Sequence, residues 1–241
     1  MQTNSKGKSW KDVWSKKYTE HKNHKWLHVQ DGFDNLNYSQ WKKLCGFFLN
    51  IIDIRNTDDV LEVGCGSGAF AREIQTYKSI SGVDYSSEAI ENIKQNIPEK
   101  EGEEGGWYHS EANSLPFKNN SFDKIICFSV FIYFDNYKYA SQTLEEMLRV
   151  LRLDGEILIG EVSDINKKNI ATKLRGESKK VRQNRALVSS NFEHLYYPVD
   201  FFKKFAADNN LDVRIIDENV PELSFYESSS YRFSVLLTTR I

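Results

Sequence analysis

The 241-residue chain lacks an excess of either charge, with 32 Lys and Arg against 34 Asp and Glu and a net charge of -2. Proteins that live on nucleic acid or anionic membrane carry a basic surplus, so neither partner is expected. Long apolar runs are missing as well. The longest, Leu44 to Ile52 and Ile125 to Phe134, fall short of the roughly 20 residues that cross a bilayer. The opening residues, Met1 to Lys8, are positive in character without an apolar stretch behind them, so no secretory signal or anchor is expected. Cysteine is scarce: Cys45, Cys65 and Cys127 are odd in number and widely spaced, which makes neither a disulfide framework nor a zinc cluster and fits a reducing cytoplasm. No set of His, Asp and Glu has ligand-like spacing, so no metal is expected. Internal repeats and low-complexity tracts are absent. With 40% hydrophobic residues the chain can bury one sizeable core, and one domain over residues 1–241 is the expectation.

What is present falls into three stretches. Residues 1–57 hold two amphipathic helical patterns. Trp10, Val13, Trp14 and Tyr18 form a stripe behind the N-cap candidate Ser9, and Trp41, Leu44, Cys45, Phe48, Ile51 and Ile52 form another behind Ser39. A polar, turn-rich segment, His21 to Asn37, joins them. From 58 to 162 short apolar runs alternate with helical patterns, the texture of a mostly parallel sheet. Strands are expected at Val60–Val63, Ser79–Val83, Gly106–His109, Phe122–Phe128 and Glu156–Glu161. Helices are expected at Ala69–Tyr77, at Ser87–Ile97 closed by Pro98, and at Tyr139–Leu151 closed by Asp154-Gly155. Lys100 to Gly106 reads as a surface loop. In 163–241 a basic segment from Lys167 to Arg185 comes first, then a helix from Pro198 at N1 to Asn209. Two strand-like runs, Leu211–Ile216 and Tyr231–Thr239, have no helical pattern between them and so form an antiparallel pair closing the sheet.

The most informative segment is Val60-Leu61-Glu62-Val63-Gly64-Cys65-Gly66-Ser67-Gly68-Ala69-Phe70. Glycines at such a strand end let a ligand press against the main chain, in the crevice where open α/β sheets bind ligands. A dinucleotide fingerprint places its third glycine one residue later, and Glu62 suits a ligand carrying a cation better than a pyrophosphate. Glu62 could instead be a half-buried acid neutralised by a lysine. Asp84 ends the second strand, 20 positions after Gly64, where a carboxylate can accept both hydroxyls of a ribose. Tyr85 offers a flat face for an adenine. As a helix cap Asp84 is outranked by Ser86 and Ser87.

Together with Glu111 to Phe117, Ser121 to Cys127 and Arg149 to Glu156, these segments closely resemble the motif series of class I S-adenosylmethionine-dependent methyltransferases. The resemblance covers Asp58 to Val162. It implies a Rossmann-like doubly wound sheet of seven strands in the order 3-2-1-4-5-7-6, with strand 7 antiparallel and the N-terminal helices as a lid. It implies S-adenosylmethionine as cofactor, with S-adenosylhomocysteine as product. The implied cofactor residues are Glu62, Gly64, Cys65, Gly66 and Gly68 at the turn, Asp84 and Tyr85 at the ribose and adenine, and Glu111 with Ala112 at the adenine edge. Phe128, ending the fourth strand, joins this set. Glu111 stands where the family more often has Asp.

Methyl transfer needs acceptor and methyl aligned, and an alcohol acceptor also needs its proton removed. The fourth strand ends Phe128-Ser129-Val130-Phe131-Ile132-Tyr133-Phe134, without the Asn/Asp-Pro-Pro-Tyr of enzymes that methylate amino groups of bases and glutamine. A small polar, sometimes anionic, acceptor methylated at oxygen is therefore expected. Histidine matches a general base near neutral pH, so His194, His28 and Tyr18 are the catalytic candidates. Trp14, Asp31, Glu161, Tyr196 and Tyr197 are further acceptor-side candidates. The basic segment either clamps an anion or is a solvated helix face. The C-terminal pieces, His194 to Tyr197, Phe201-Phe202 and Tyr231 to Leu237, resemble a subgroup found with bacterial surface-polysaccharide biosynthesis. That subgroup points to a sugar, a nucleotide-linked intermediate or a phosphoramidate. The rival readings are an NAD-dependent oxidoreductase and a cofactor-binding protein without catalysis.

Overall fold

The computed structural model describes residues 9–97, 105–181 and 193–240. Its seven strands are β1 (Asp59–Val63), β2 (Ser79–Asp84), β3 (Gly105–His109), β4 (Phe122–Phe128), β5 (Leu151–Ser163), β6 (Leu211–Asp217) and β7 (Arg232–Thr239), in the sheet order 3-2-1-4-5-7-6. The first five pair in parallel, while β7 runs antiparallel to both β5 and β6.

Strict alternation along the strands splits the core into two layers. Leu61, Val63, Ile125, Cys127, Ile157 and Ile159 face one side, where they meet Leu144 and Met147 of α5 (Tyr137–Val150) and Phe202 of α7 (Val199–Asp208). Val60, Ile126, Phe128 and Leu158 face the other, under Trp41, Leu44, Cys45 and Phe48 of α3 (Tyr38–Leu49). Each such side chain contributes about 1.5–3 kcal/mol by leaving water. On that second side α4 (Ser87–Asn96) packs Ile90 and Ile93 on Cys65 and Trp107. Chain entry is formed by α1 (Trp10–His21) and the short α2 (Leu27–Gln30), and α6 (Lys168–Val181) follows β5.

Several local expectations are corrected. Instead of a helix over Ala69–Tyr77 there is a single 3-10 turn, Ala71–Glu73, after which Ile74 turns extended at φ -75 and ψ 114 and is buried with Phe70. The β-branched residue gains more from that burial than from another helical turn. Asn37, not Ser39, caps α3, because Asn37 and Gln40 exchange side-chain to backbone hydrogen bonds of 3.0 Å in a capping box. Pro198 is the N-cap residue of α7 rather than its first helical residue. Asp154-Gly155 lies inside β5, which starts directly after α5. The linker His21 to Asn37 contains α2. Gly105 and Gly106 belong to β3, while 100–104 of the expected loop, and the closing Pro98, lie outside the described residues. Ser9 caps α1 and Ser86 caps α4, as expected.

Candidate active site

β1 delivers the chain to the turn at Gly64, whose φ of +79 strains any other residue, and where an added Cβ would collide with the side chain of Val130. The amides of Gly64 and Cys65 both donate to the Val83 carbonyl, at 2.7 and 2.9 Å, fastening the turn to the end of β2. A Cβ on Gly66 would lie 2.6 Å from Asp31 Oδ1 and 2.7 Å from the Tyr18 hydroxyl, so the N-terminal segment approaches the bare backbone there.

Two carboxylates hold the turn from opposite sides. Asp84 accepts from the Gly66 amide at 3.0 Å and from the Ser86 amide at 2.9 Å. Asp31 accepts from the amides of Ser67 at 2.8 Å and Ala69 at 3.2 Å. Ser67 Oγ donates to the Leu27 carbonyl, and Asn92 of α4 donates to the Tyr18 carbonyl and to Gln30. The N-terminal helices are thereby tied to the Gly-rich turn and to α4.

Asp84 is buried and Asp31 half-buried, and loss of solvent is the main cause that raises both to about 6 despite their amide donors. Glu62 is pushed well above the usual carboxylate range, first by burial and then by Asp31. Its Oε2 is shut off from solvent with no hydrogen-bond partner among the described residues, and so is the Tyr85 hydroxyl. Three acids pressed together in this way favour a cationic ligand, because each would regain in the complex the charge that burial discourages.

The acids open on a cleft of about 600 Å³. Gly64, Cys65, Gly66, Asp84, Tyr85, Glu111, Ala112 and Phe128 line it together with Glu62. Glu111 accepts from the Tyr139 hydroxyl at 2.9 Å and lies 3.5 Å from the Lys11 ammonium. Gly68 does not line the cleft: an added Cβ would meet Ile93 and Ile97, so that glycine lets α4 pack close. The remaining wall carries the aromatic rings of Trp10 and Trp14 of α1, Phe33, Trp41 and Tyr133, with polar residues such as Asn113, Asp135, Asn136 and Gln142 elsewhere on it. Trp10 and Trp14 both meet the Tyr133 ring edge-on, at 4.8 and 5.2 Å.

The catalytic candidates separate. Tyr18 lines the cleft, and its hydroxyl is raised well above its ordinary value by burial and then by Asp31. His28 does not: its ring stacks on Trp41 at 5.7 Å, its Nε2 pairs with the Leu36 carbonyl at 3.0 Å, and it is buried as a packing residue. His194 also lies outside the lining residues, with its ring against Trp10 and Tyr133, which do line it. Tyr197 is buried in the core and donates to the Phe131 carbonyl, and Tyr196 packs on Ala171 and Tyr231. Glu161 is turned away from the cleft at a left-handed φ of +65, ion-paired to Arg232 and accepting from the Tyr226 hydroxyl at 2.6 Å. Asp31, Trp14 and Phe33 combine packing with cleft lining, which a reading of apolar stripes does not separate.

In the basic segment Lys167 pairs with Asp217 and Lys168 with Glu193, both toward solvent. Arg182 and Arg185 lie outside the described residues. Among the described residues no helix is long and apolar enough to cross a membrane, and no group of His, Cys, Asp and Glu is arranged to hold a metal ion.

Residues 61–159 match the family model described as a methyltransferase domain. A demethylmenaquinone methyltransferase of Thermotoga maritima is 32% identical over 122 residues, which cover 49% of this chain and 50% of that protein. The chain spans about half the length of the first curated relatives it matches. A SAM-dependent methyltransferase of Methanosarcina mazei shares the fold with a TM-score of 0.59 at 17% identity, over 78% of this chain and 95% of that one. Phosphoethanolamine N-methyltransferase 1 of Haemonchus contortus, solved with phosphoethanolamine and S-adenosylhomocysteine, does so with a TM-score of 0.66 at 13% identity, over 95% of this chain and 48% of that one.

The fold is thus the Rossmann-like fold of S-adenosylmethionine-dependent methyltransferases. Within it, residues 61–159 are similar to a methyltransferase domain, and S-adenosylmethionine is the cofactor of that class.

Proposed function

We propose that the protein transfers a methyl group from S-adenosylmethionine to an oxygen of a small polar metabolite. The observation that carries the reading is the convergence of three acids, the buried Glu62 and Asp84 and the half-buried Asp31, on one cleft beside a Gly-rich turn. Glu62 Oε2 is the partner for the ammonium of the methionine part, Asp84 for the ribose hydroxyls, and Tyr85 with Glu111 and Ala112 for the adenine. The bound cofactor supplies an activated methyl on a sulfonium. The chain's own task is to align the acceptor and exclude water, and alignment of this kind is worth about 7–11 kcal/mol. Trp10, Trp14, Phe33, Trp41 and Tyr133 form the dry wall against which an acceptor is held. Helices α1 and α2 serve as a lid, latched by Asp31 on the turn amides.

A small acceptor fits a cleft of about 600 Å³ with aromatic rings on its wall, the net charge of -2 and a β4 terminus that reads Ser129-Val130-Phe131. The test is incubation with S-adenosylmethionine and a panel of sugars, nucleotide-linked sugars and phosphoramidates, each hydroxyl compound beside its amine counterpart. Release of S-adenosylhomocysteine and the site of methylation would be read by mass spectrometry. Transfer to hydroxyl members is the expected result. Transfer only to amines would overturn the oxygen assignment, and binding without turnover on any member would leave a cofactor-binding protein.

A further inference from the structure

The charge balance of the whole chain averages over an uneven surface. Between Lys16 and Lys43 six lysines stand against three acids, and each of those acids is already engaged. Glu20 pairs with Lys16, Asp31 accepts from the amides of Ser67 and Ala69, and Asp34 is half-buried with a partner of its own. Lys22, Lys25, Lys42 and Lys43 are exposed, and among the described residues no acid forms an ion pair with any of them.

Two aromatic rings stand among these lysines. Trp26 is the N-cap residue of α2 and makes no side-chain capping bond, at a position where Ser, Thr, Asp or Asn would serve the helix. Tyr38 opens α3. Each is 38% exposed, and the two rings stack on one another at 4.8 Å. The Lys25 ammonium lies 4.9 Å from the centre of the Trp26 ring, and the Lys42 ammonium 6.0 Å from that of Tyr38. A continuous run of cation, ring, ring and cation therefore faces solvent. Glu73, which meets the Tyr38 hydroxyl, is itself buried and has Arg72 beside it. Behind the run the His28 ring lies 6.2 Å from Tyr38 and 5.7 Å from Trp41, a residue of the cleft wall.

Rings with an apolar body and a polar edge gather with lysine at the boundary between water and lipid. Single-stranded nucleic acid uses the same residue types but stacks its bases on open ring faces. Here Trp26 is already met by Tyr38 and Lys25, and Tyr38 by Trp26 and Lys42, so a base would have to displace a neighbour. An interfacial lipid layer takes the exposed edges as they stand.

We propose that this face of the N-terminal helices docks on an anionic phospholipid surface, with the edges of Trp26 and Tyr38 at the headgroup boundary and Lys25 and Lys42 against lipid phosphates. Lys22 and Lys43, close by in the chain, add to the attraction. Four lysines and two ring edges make a peripheral, reversible contact. It is independent of the methyl-transfer reading, and it sets the cleft one ring away from the membrane.

The test is co-sedimentation of the intact protein with vesicles of phosphatidylcholine alone and of phosphatidylcholine mixed with an equal part of phosphatidylglycerol. Binding to the mixed vesicles only, weakened by added salt, is expected. Lys25→Gln and Lys42→Gln should each lower it about fivefold, and the double variant about twenty-fivefold, with circular dichroism unchanged. Trp26 is the exposed one of the five tryptophans, all of them described, so Trp26→Phe should remove the blue shift of emission that mixed vesicles cause in the wild type. Absence of binding to mixed vesicles, equal binding to both kinds, or undiminished binding of the double variant would overturn the proposal. Displacement from the vesicles by a single-stranded oligonucleotide that itself alters Trp26 emission would overturn it in favour of nucleic acid.

Discussion

Loss of solvent at Asp31 and Asp84 makes cofactor affinity depend on pH in a window set by their raised values of about 6. Between the ordinary value of 3.8 and about 6 the native state holds protons that the unfolded chain has released. The cost of ionising these groups is therefore absent below about pH 4 and complete above about pH 6, where it amounts to about 3 kcal/mol for each. A ligand that donates hydroxyls to Asp84 and brings positive charge near Glu62 and Asp31 returns the carboxylates toward their ordinary range. One carboxylate that must lose its proton on binding weakens affinity about tenfold at about pH 5 relative to about pH 7.5, and two together weaken it roughly a hundredfold. Calorimetric titration with S-adenosylmethionine across that range, in two buffers of different ionisation enthalpy, gives both the affinity and the protons released. Affinity should rise with pH across the range in which Asp31 and Asp84 ionise, with proton release at the acid end. A flat profile with no proton release would refute the reasoning that these acids face the ligand.

Asp84→Ala removes the acceptor of the Gly66 and Ser86 amides, and cofactor affinity should fall at least about tenfold while the fold survives; an unchanged dissociation constant would remove Asp84 from the site. Glu62→Gln should raise the melting temperature of the ligand-free protein, since a buried acid without a partner at Oε2 is replaced by a neutral amide. The same variant should show a smaller rise in melting temperature on adding S-adenosylmethionine, and effects of the same sign in both measurements would contradict the assignment. His28→Asn loses the stack on Trp41 and the bond to Leu36, so denaturant titration should show a loss of about 1–3 kcal/mol, with turnover per folded molecule unchanged.

Much of this arrangement is legible in the sequence because it is local. The run from Val60 to Phe70 names a strand and a turn by alternation and glycine spacing, and Asp84 follows from the end of the next strand. Sheet order is a different matter: the residues alone do not dictate it, the resemblance implies it, and β7 pairs between β5 and β6 accordingly. What stayed hidden depends on contacts between distant segments. Asp31 sits in a polar linker, and nothing in its neighbours says that it accepts from amides of Ser67 and Ala69. Trp41 reads as a core residue, and Trp14 as both a stripe residue and a candidate, because a cleft wall and a core ask for the same apolar rings. The helix expected after Gly68 fails for a similar reason, since burial of Ile74 against α3 outweighs local propensity. The cap at Asn37 is legible, since Asn37 and Gln40 have capping-box spacing, although Ser39 stands closer to the apolar stripe.

The claim on which the rest depends is that the cleft between the Gly-rich turn, Asp84 and the N-terminal helices holds an adenosyl sulfonium cofactor. Its most direct measurement is a calorimetric and thermal-shift titration of the intact protein with S-adenosylmethionine, S-adenosylhomocysteine and NAD in parallel, since a ligand that binds only the native state raises its stability. Binding and stabilisation by both adenosyl ligands, and by neither form of response to NAD, is the predicted result. Absence of binding by both adenosyl ligands, or stabilisation by NAD, would contradict it, and the roles given to Glu62, Asp84, Tyr85 and Glu111 would fall together.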